Sequence, residues 1–167
     1  LNKKFRFIKK NSKLLDIGAY PGGWSQVSSK IITQGKILSL DTIKIERIKN
    51  VEFLKCDFLE KQSKEQIFKF FGEKIDVILS DMAANTTGNK SLDCIRTNQL
   101  CSDVVQFSSK YLKPNGVLVS KLFMGEDFLE VKELAKSKFK KVHFFKPEAS
   151  RDESKETYLH CTILKTL

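Results

Sequence analysis

Short apolar runs alternate along this chain with longer amphipathic stretches, and several of these runs end at an aspartate or a glycine. The sequence predicts seven strands, at residues 13–17, 36–40, 51–55, 75–80, 117–122, 142–145 and 157–164. It predicts helices at residues 24–33, 61–71, 92–112 and 126–138. Buried strands that alternate with helices are typical of an α/β fold, whose mostly parallel sheet carries helices on both faces.

The connection after the second strand is unusually short. Only nine residues separate Asp41 from Val51, whereas a crossover that contains a helix needs at least about 10–12 residues. The sequence therefore predicts either a bare loop at this point or residues missing from the chain.

Length and the first residues bear on the domain organisation. A chain of 167 residues corresponds to one domain at about 100–200 residues each. Hydrophobic residues make up 41% of the chain, which is enough to form a core. The chain begins at Leu1, without a methionine and in the middle of a structural pattern. We therefore expect residues 1–167 to form a single domain with a truncated N-terminus.

The balance of charged residues favours a polyanionic partner. Lys and Arg number 30 and Asp and Glu number 20, which gives a formal net charge of +10. Such a charge on a compact domain favours nucleic acid as the partner, and the hydrophobic content excludes a disordered polycation. No apolar run is long enough to span a membrane, which takes about 18–20 residues, so a membrane protein is excluded as well.

The four cysteines predict free thiols. They stand at Cys56, Cys94, Cys101 and Cys161 without a Cys-x-x-Cys pair, and the chain has only two histidines. Zinc sites need closer ligand spacing, so no metal site is predicted. Free thiols are typical of a reducing intracellular compartment, and this signal does not distinguish the cytoplasm from the nucleus, the nucleolus or a mitochondrion.

A glycine-rich turn follows the first strand, at the edge where ligands bind in an open parallel sheet. Its glycines are Gly18, Gly22 and Gly23, and a glycine lets a ligand approach the main chain closely. Asp41 ends the second strand, where a carboxylate could accept hydrogen bonds from both hydroxyls of a ribose. The spacing is not G-x-G-x-x-G, which argues against a nicotinamide dehydrogenase. The turn and the acid together favour a different nucleoside cofactor.

Further carboxylates stand at the ends of the predicted strands. Asp16, Asp57 and Asp81 would repel a pyrophosphate but suit a cationic ligand, and S-adenosylmethionine carries a positively charged sulfonium. The structural alternative is a tight turn with strand-end acids that cap helices. Because signals agree at several strand ends, we favour the cofactor interpretation.

A family resemblance covers nearly the whole chain. The motifs that carry it occur in order: DIGAYPGGWSQ at residues 16–26, SDMA with Asn85 at 80–85, SKLF at 120–123, KPEASR at 146–151, and ES and ETY at 153–154 and 156–158. Together they resemble the RrmJ/FtsJ family of RNA ribose 2′-O-methyltransferases. The resemblance implies the class I methyltransferase fold, a Rossmann-like seven-stranded sheet whose last strand is antiparallel. One departure is Ala84, where the family usually has proline.

The resemblance also implies a catalytic set of Lys, Asp, Lys and Glu. Asp81, Lys121 and Glu156 match three of its members, and the first lysine would fall just before Leu1. Lys121 stands in an apolar strand, where a lysine is unusual, and is expected to act as the base or to position the hydroxyl. The implied contacts to S-adenosylmethionine come from Asp16, Gly18, Pro21, Gly22, Gly23, Trp24, Asp41, Asp57 and Asp81.

The function implied by the resemblance is methyl transfer from S-adenosylmethionine to a ribose 2′-hydroxyl of RNA. The motifs are most similar to the bacterial and mitochondrial enzymes of ribosomal RNA processing, which implies a uridine of the large-subunit RNA. Methylation of tRNA or of an RNA cap is the nearest alternative, and a non-catalytic module that binds RNA or the cofactor is another. We expect RNA or the ribosomal subunit as the partner, no membrane, and a monomer.

Overall fold

The computed structural model describes residues 6–125, 127–147 and 154–166. Its strands are β1 (Lys13–Ile17), β2 (Lys36–Asp41), β3 (Glu52–Lys55), β4 (Ile75–Ser80), β5 (Leu112–Phe123), β6 (Phe139–Phe145) and β7 (Glu156–Leu164). Its helices are α1 (Gly23–Ile31), α2 (Lys61–Phe71), α3 (Lys90–Tyr111) and α4 (Phe128–Lys138).

All seven strands belong to one sheet with the order β3-β2-β1-β4-β5-β7-β6. The five strands β3, β2, β1, β4 and β5 are parallel to one another. The last strand, β7, lies between β5 and β6 and is antiparallel to both. This topology confirms the predicted α/β fold with a mostly parallel sheet and an antiparallel last strand.

Apolar side chains cover both faces of the sheet, because successive residues of a strand point to opposite sides. In β1, Leu15 and Ile17 join the larger core cluster, to which α2 and α3 contribute Ile67 and Val104. Leu14 joins the second cluster, on the opposite face, where residues of α1 and the adjoining loop pack. The predicted burial of the sheet on both faces is therefore confirmed.

The connection between β2 and β3 is a bare loop, residues 42–51, which confirms the first of the two alternatives for this segment. Ile45 anchors the loop, since its side chain is buried. A Cβ atom placed on Gly22 would lie 3.2 Å from Ile48 Cδ1 and 3.9 Å from Ile45 Cδ1. The loop thus packs against the start of α1, and Gly22 leaves room for it.

None of the helices in the described ranges is both long enough and apolar enough to cross a membrane.

Candidate active site

A cavity of about 570 Å³ opens at the carboxyl ends of the parallel strands. Its volume lies within the range of about 300–1,000 Å³ that is usual for small-molecule sites. Among the residues that the structure describes, Arg96 is the one cation that lines it. The carboxylates of the same lining are Asp41, Asp57, Asp81 and Asp103. A cavity with this charge balance favours a ligand that carries positive charge.

Gly18 forms the floor of this cavity at the first turn. Its φ of 72° lies in the left-handed region, which favours glycine. A Cβ atom placed here would lie 2.7 Å from Met82 Cγ and 3.0 Å from Met82 N. The missing side chain therefore lets the segment after β4 close against the turn after β1.

Asp41 is held in place by two backbone groups. Its Oδ2 accepts a hydrogen bond of 2.9 Å from Tyr20 N, and its Oδ1 accepts one of 2.9 Å from Ile43 N. The carboxylate thus joins the glycine-rich turn to the loop that follows β2. Oδ1 also accepts a longer hydrogen bond, of 3.4 Å, from the Thr42 hydroxyl. Because each carboxylate oxygen has two lone pairs, Oδ2 keeps the capacity to accept a further hydrogen bond from a ligand in the cavity.

Asp57 has a similar local anchor, since its Oδ1 accepts a hydrogen bond of 2.9 Å from Leu59 N. The exposed apolar side chains of Tyr20, Ile43 and Leu59 line the same cavity. Apolar side chains beside fixed carboxylates are the combination expected around the base and the ribose of a nucleoside.

The three predicted catalytic residues meet in one cluster. Lys121 Nζ lies 3.0 Å from Asp81 Oδ1 and 3.5 Å from Glu156 Oε1. The Lys121 side chain is only 14% exposed. Asp81 follows β4, Lys121 lies on β5 and Glu156 begins β7, so the sheet order β4-β5-β7 brings them together. The two carboxylates balance the lysine charge in this partly buried position.

Tyr158 completes the cluster and was not singled out from the sequence. Its hydroxyl lies 2.8 Å from Asp81 Oδ1 and 2.8 Å from Glu156 Oε1, so it donates its one proton to either carboxylate. Burial and then the charge of Asp81 raise the pKa of Tyr158 well above its usual range, which keeps the hydroxyl protonated. Strand alternation could have indicated it, because Glu156 and Tyr158 lie two residues apart on β7 and therefore point to the same face of the sheet. The pairing of Tyr158 with Lys121 is visible only in the structure.

Asp81 connects the lysine cluster to the acidic cavity. The residue lines the cavity with Gly18 and Asp41, and its Oδ1 contacts both Lys121 and Tyr158. A ligand held in the cavity would therefore lie next to an amine and a pair of carboxylates.

Asp16 lies beneath the cavity and does not line it, which differs from its predicted role as a direct ligand contact. The residue is fully buried, and its Oδ2 accepts a hydrogen bond from the Ser25 hydroxyl. Its Oδ1 has no hydrogen-bond partner among the described residues. Burial raises the pKa of Asp16 to about 7, so this carboxyl is not a permanent negative charge at neutral pH.

The remaining residues of the glycine-rich motif also lie outside the cavity wall, namely Pro21, Gly22, Gly23 and Trp24. Gly23 begins α1, whose first turn contains no acidic residue. The Trp24 ring centroid lies 5.5 Å from that of Tyr158. Trp24 therefore packs against the lysine cluster. Because it is the second residue of α1, it also lies at the positive end of the helix dipole.

Comparison with known proteins agrees with this geometry. The family model described as FtsJ-like methyltransferase matches residues 1–164 of the chain. The chain belongs to this family. Two bacterial relatives carry the name ribosomal RNA large subunit methyltransferase E. The protein of Pelagibacter ubique is 42% identical over 165 residues, covering 99% of this chain and 81% of its own length. The protein of Rickettsia akari is 45% identical over 165 residues, covering 95% of this chain and 73% of its own length.

Comparison with solved structures also finds a methyltransferase fold. A crystal structure from Plasmodium falciparum, of a protein assigned as a ribosomal RNA methyltransferase, superposes with a TM-score of 0.86 at 30% sequence identity. The match covers 98% of this chain and 92% of that chain. The chain is therefore an RNA methyltransferase of the class I fold, and enzymes of this FtsJ-like family use S-adenosylmethionine.

The residues of the cavity fit S-adenosylmethionine. A cationic ligand suits the four lining carboxylates, and the exposed apolar side chains of Tyr20, Ile43 and Leu59 suit its base and ribose. Asp41 and Asp57 present anchored carboxylate oxygens to the cavity.

Proposed function

We propose that this chain, as a single methyltransferase domain, methylates a ribose 2′-hydroxyl of large-subunit ribosomal RNA. The names of the two bacterial relatives support ribosomal RNA as the substrate over tRNA or an RNA cap. The net charge of +10 is suited to an RNA partner. The three members of the catalytic set that this chain retains, Lys121, Asp81 and Glu156, lie in one cluster, which argues against a non-catalytic module.

The acidic cavity would hold the methyl donor. When bound, S-adenosylmethionine supplies a methyl group on a positively charged sulfur, which makes that carbon electrophilic. Asp41 would accept hydrogen bonds from the ribose hydroxyls of the donor, and Asp57 would contact its base. The carboxylate of Asp81 would balance positive charge at the side of the cavity nearest the lysine.

Lys121 would act on the hydroxyl of the RNA substrate. A ribose hydroxyl is a poor nucleophile, so its proton must leave before or during the attack. Lys121 Nζ, when neutral, can accept that proton, and in its charged form it can orient the hydroxyl oxygen. General-base catalysis of this kind contributes about 10²–10⁴-fold to the rate. Fixing the hydroxyl in line with the methyl group would contribute through proximity and orientation.

Tyr158 and Glu156 would position the lysine. The tyrosine hydroxyl lies 2.8 Å from a carboxylate oxygen of both Asp81 and Glu156, so it fixes the separation of the two acids that flank Lys121. Trp24 and Phe145 pack against the Tyr158 ring, with centroid distances of 5.5 and 5.7 Å. The aromatic contacts thereby limit the movement of the cluster.

The observation that carries the proposal is the position of Asp81. It belongs to the wall of the acidic cavity and, at 3.0 Å, to the ion pair with Lys121. A methyl donor and a hydroxyl acceptor need adjacent sites for direct transfer, and Asp81 is the residue shared by the two.

We further infer that the protein acts as a monomer, in the reducing intracellular compartment where ribosomal RNA matures. The four cysteines, Cys56, Cys94, Cys101 and Cys161, are all free thiols, which suits such a compartment. Size-exclusion chromatography with light scattering tests the monomer, for which a mass near 19.2 kDa is expected. A dimer mass at micromolar concentration would contradict it.

A methyl-transfer assay tests the proposed reaction. Purified protein is incubated with undermethylated large ribosomal subunits and S-adenosylmethionine that carries a labelled methyl group. The extracted RNA is then hydrolysed in alkali. Alkaline cleavage of RNA requires a free 2′-hydroxyl, so a 2′-O-methyl group leaves the label in a resistant dinucleotide.

The product distinguishes the candidate functions. Label in a resistant dinucleotide from large-subunit RNA supports the proposal. Label in mononucleotides would indicate base methylation and refute the ribose assignment. Label only in tRNA, offered in a parallel reaction, would refute the choice of substrate. Cofactor binding without transfer to any RNA, measured on the full-length protein, would favour the non-catalytic alternative.

A further inference from the structure

A second cavity, of about 760 Å³, lies at the opposite end of β2 from the acidic cavity. Lys36, the first residue of β2, lines the second cavity, and Asp41, the last residue, lines the first. At about 3.3 Å per residue, the five residue steps of the strand separate the two ends by about 17 Å. The two cavities are therefore distinct sites.

The second cavity is basic, whereas the first is acidic. Within the described ranges of the chain, its lining contains three cations, Lys36, Arg47 and Lys49, and one acid, Glu52. Arg47 and Lys49 are exposed. Among the residues that the structure describes, no carboxylate lies within ion-pair distance, 4.0 Å, of either of them. These two cations are therefore available to an anion from outside the chain.

An aromatic ring forms the other side of this cavity. Phe70 of α2 is half-buried and lines it. Lys36 Nζ lies 5.6 Å from the centroid of that ring and 3.4 Å from Phe70 O. Lysine amines held beside an aromatic side chain are a combination that binds nucleic-acid backbones and bases.

The loop that carries Arg47 and Lys49 is anchored. Ile45 is buried and Ile48 is half-buried against the start of α1. The backbone turns back after Ile48, since Val51 N donates a hydrogen bond of 3.2 Å to Ile48 O. The two cations flank this anchored isoleucine and are presented from a fixed turn.

We propose that this cavity, called the basic cleft from here on, binds backbone phosphates of the substrate RNA at a distance from the nucleotide that is methylated. The inference rests on the proposed function, because it takes the substrate to be RNA. Arg and Lys contacts to phosphates give affinity and orientation without reading the base sequence. The basic cleft would therefore hold a large folded RNA and leave the choice of nucleotide to the active site.

The distance to Lys121 defines which RNA can use the basic cleft. Strands β1 and β4 lie between β2 and β5, which gives three strand spacings of about 4.8 Å, or about 14 Å. Combined with the length of β2, about 17 Å, this places the basic cleft about 22 Å from Lys121. A trinucleotide that fills the active site is too short to reach the basic cleft, whereas a folded ribosomal RNA is large enough to contact both.

Neutralising the basic cleft tests the proposal. The double variant Arg47→Gln/Lys49→Gln removes two cations, and Lys140→Gln/Lys141→Gln removes two exposed cations from β6 as the matched control. Binding of large-subunit RNA is measured by filter retention over a range of salt concentrations. Two lost phosphate contacts lower the slope of log K against log salt by about 1.8, and they weaken binding about 30-fold at 0.15 M salt.

Two further measurements separate this effect from damage to the fold or to the active site. The affinity of the double variant for S-adenosylmethionine, measured by calorimetry, should stay within about 2-fold of wild type. Loss of a strong contact to the cofactor would change this affinity by more than about 2-fold. In the methyl-transfer assay, KM for the RNA should rise while kcat is unchanged, as expected when uniform binding is removed.

The outcomes distinguish this inference from the proposed function. If wild type methylates RNA and the Arg47/Lys49 variant loses affinity while the control does not, the basic cleft is supported. If wild type methylates RNA but the variant equals wild type or the control, the basic cleft is refuted and the proposed function stands. If wild type neither binds nor methylates RNA, both are refuted.

Discussion

Asp16 makes the stability of this fold depend on pH, and substituting it by asparagine should remove that dependence. The carboxyl is fully buried, and burial raises its pKa from 3.8 to about 7. The folded state therefore binds the proton more tightly than the unfolded state. Stability from this group is fully present below pH 3.8 and is lost as the pH rises through about 7.

The difference between the two pKa values gives the magnitude. At about 1.36 kcal/mol for each pKa unit, the free energy of unfolding falls by about 2 kcal/mol by pH 5 and by about 4 kcal/mol by pH 8. Asp16→Asn keeps the shape and an acceptor for the Ser25 hydroxyl but cannot ionise. The stability of this variant relative to wild type should therefore be about 2–3 kcal/mol greater at pH 8 than at pH 5.

Urea unfolding of both proteins at pH 5 and pH 8 measures this difference, and comparing the two proteins cancels the other titrating groups. Ser25→Ala is the second variant. It removes the hydrogen bond that lowers the pKa of Asp16, so its stability should fall by more between pH 5 and pH 8 than that of wild type. If Asp16→Asn changed stability by the same amount at both pH values, the carboxyl would ionise normally and the reasoning would be refuted.

Three further substitutions test the acidic cavity and the lysine cluster. Gly18→Ala places a Cβ atom 2.7 Å from Met82 Cγ at a φ of 72°, so calorimetry should show cofactor affinity reduced at least 10-fold and a loss of about 1–3 kcal/mol in urea unfolding. Asp41→Asn removes the charge from the proposed ribose contacts and should weaken S-adenosylmethionine binding about 10–100-fold; because the new amide nitrogen cannot accept a hydrogen bond from Tyr20 N or Ile43 N, stability should also fall by about 1–3 kcal/mol. An unchanged Kd would contradict the assignment. Tyr158→Phe removes the hydroxyl between Asp81 and Glu156, and kcat should fall about 10-fold or more while the cofactor Kd stays constant. A fall in affinity with normal kcat would assign Tyr158 to the cofactor cavity instead.

Several elements of the fold could be predicted from local sequence alone. The apolar run of β4 and the amphipathic stretch of α2 match their predicted ranges. Gly72, with a φ of 67°, ends α2 where the sequence indicated a stop. These elements are defined by short-range signals that no tertiary contact overrides.

The start of β5 was predicted wrongly, because pairing outweighed local turn chemistry. Pro114, Asn115 and Gly116 are residues typical of a turn, and the predicted strand begins only at Val117. In the structure the strand begins at Leu112, which pairs with Ile75 ahead of a register shift. Nothing in the local sequence indicates that pairing. The edge strand β6 likewise begins at Phe139 and not at residue 142, since Lys140 and Lys141 obscure its alternation.

The candidate site, like the fold, has parts that the sequence predicts and parts that depend on tertiary structure. The resemblance brought Asp81, Lys121 and Glu156 together correctly, whereas no local signal indicated that Asp16 is sealed beneath the cavity. Tyr158 depends on the antiparallel register that sets it opposite Lys121. That register is a long-range property of the sheet and is not encoded in the spacing of the motif.

The most direct test of the proposed mechanism is methyl transfer by the Lys121→Met variant. Methionine retains most of the side-chain length but carries no amine, so it can neither accept the hydroxyl proton nor orient the oxygen. With saturating S-adenosylmethionine and large-subunit RNA, the single-turnover rate should fall by about 10²–10⁴-fold, while calorimetry finds the cofactor Kd within about 3-fold of wild type. A rate within 5-fold of wild type would show that Lys121 is not the catalytic amine.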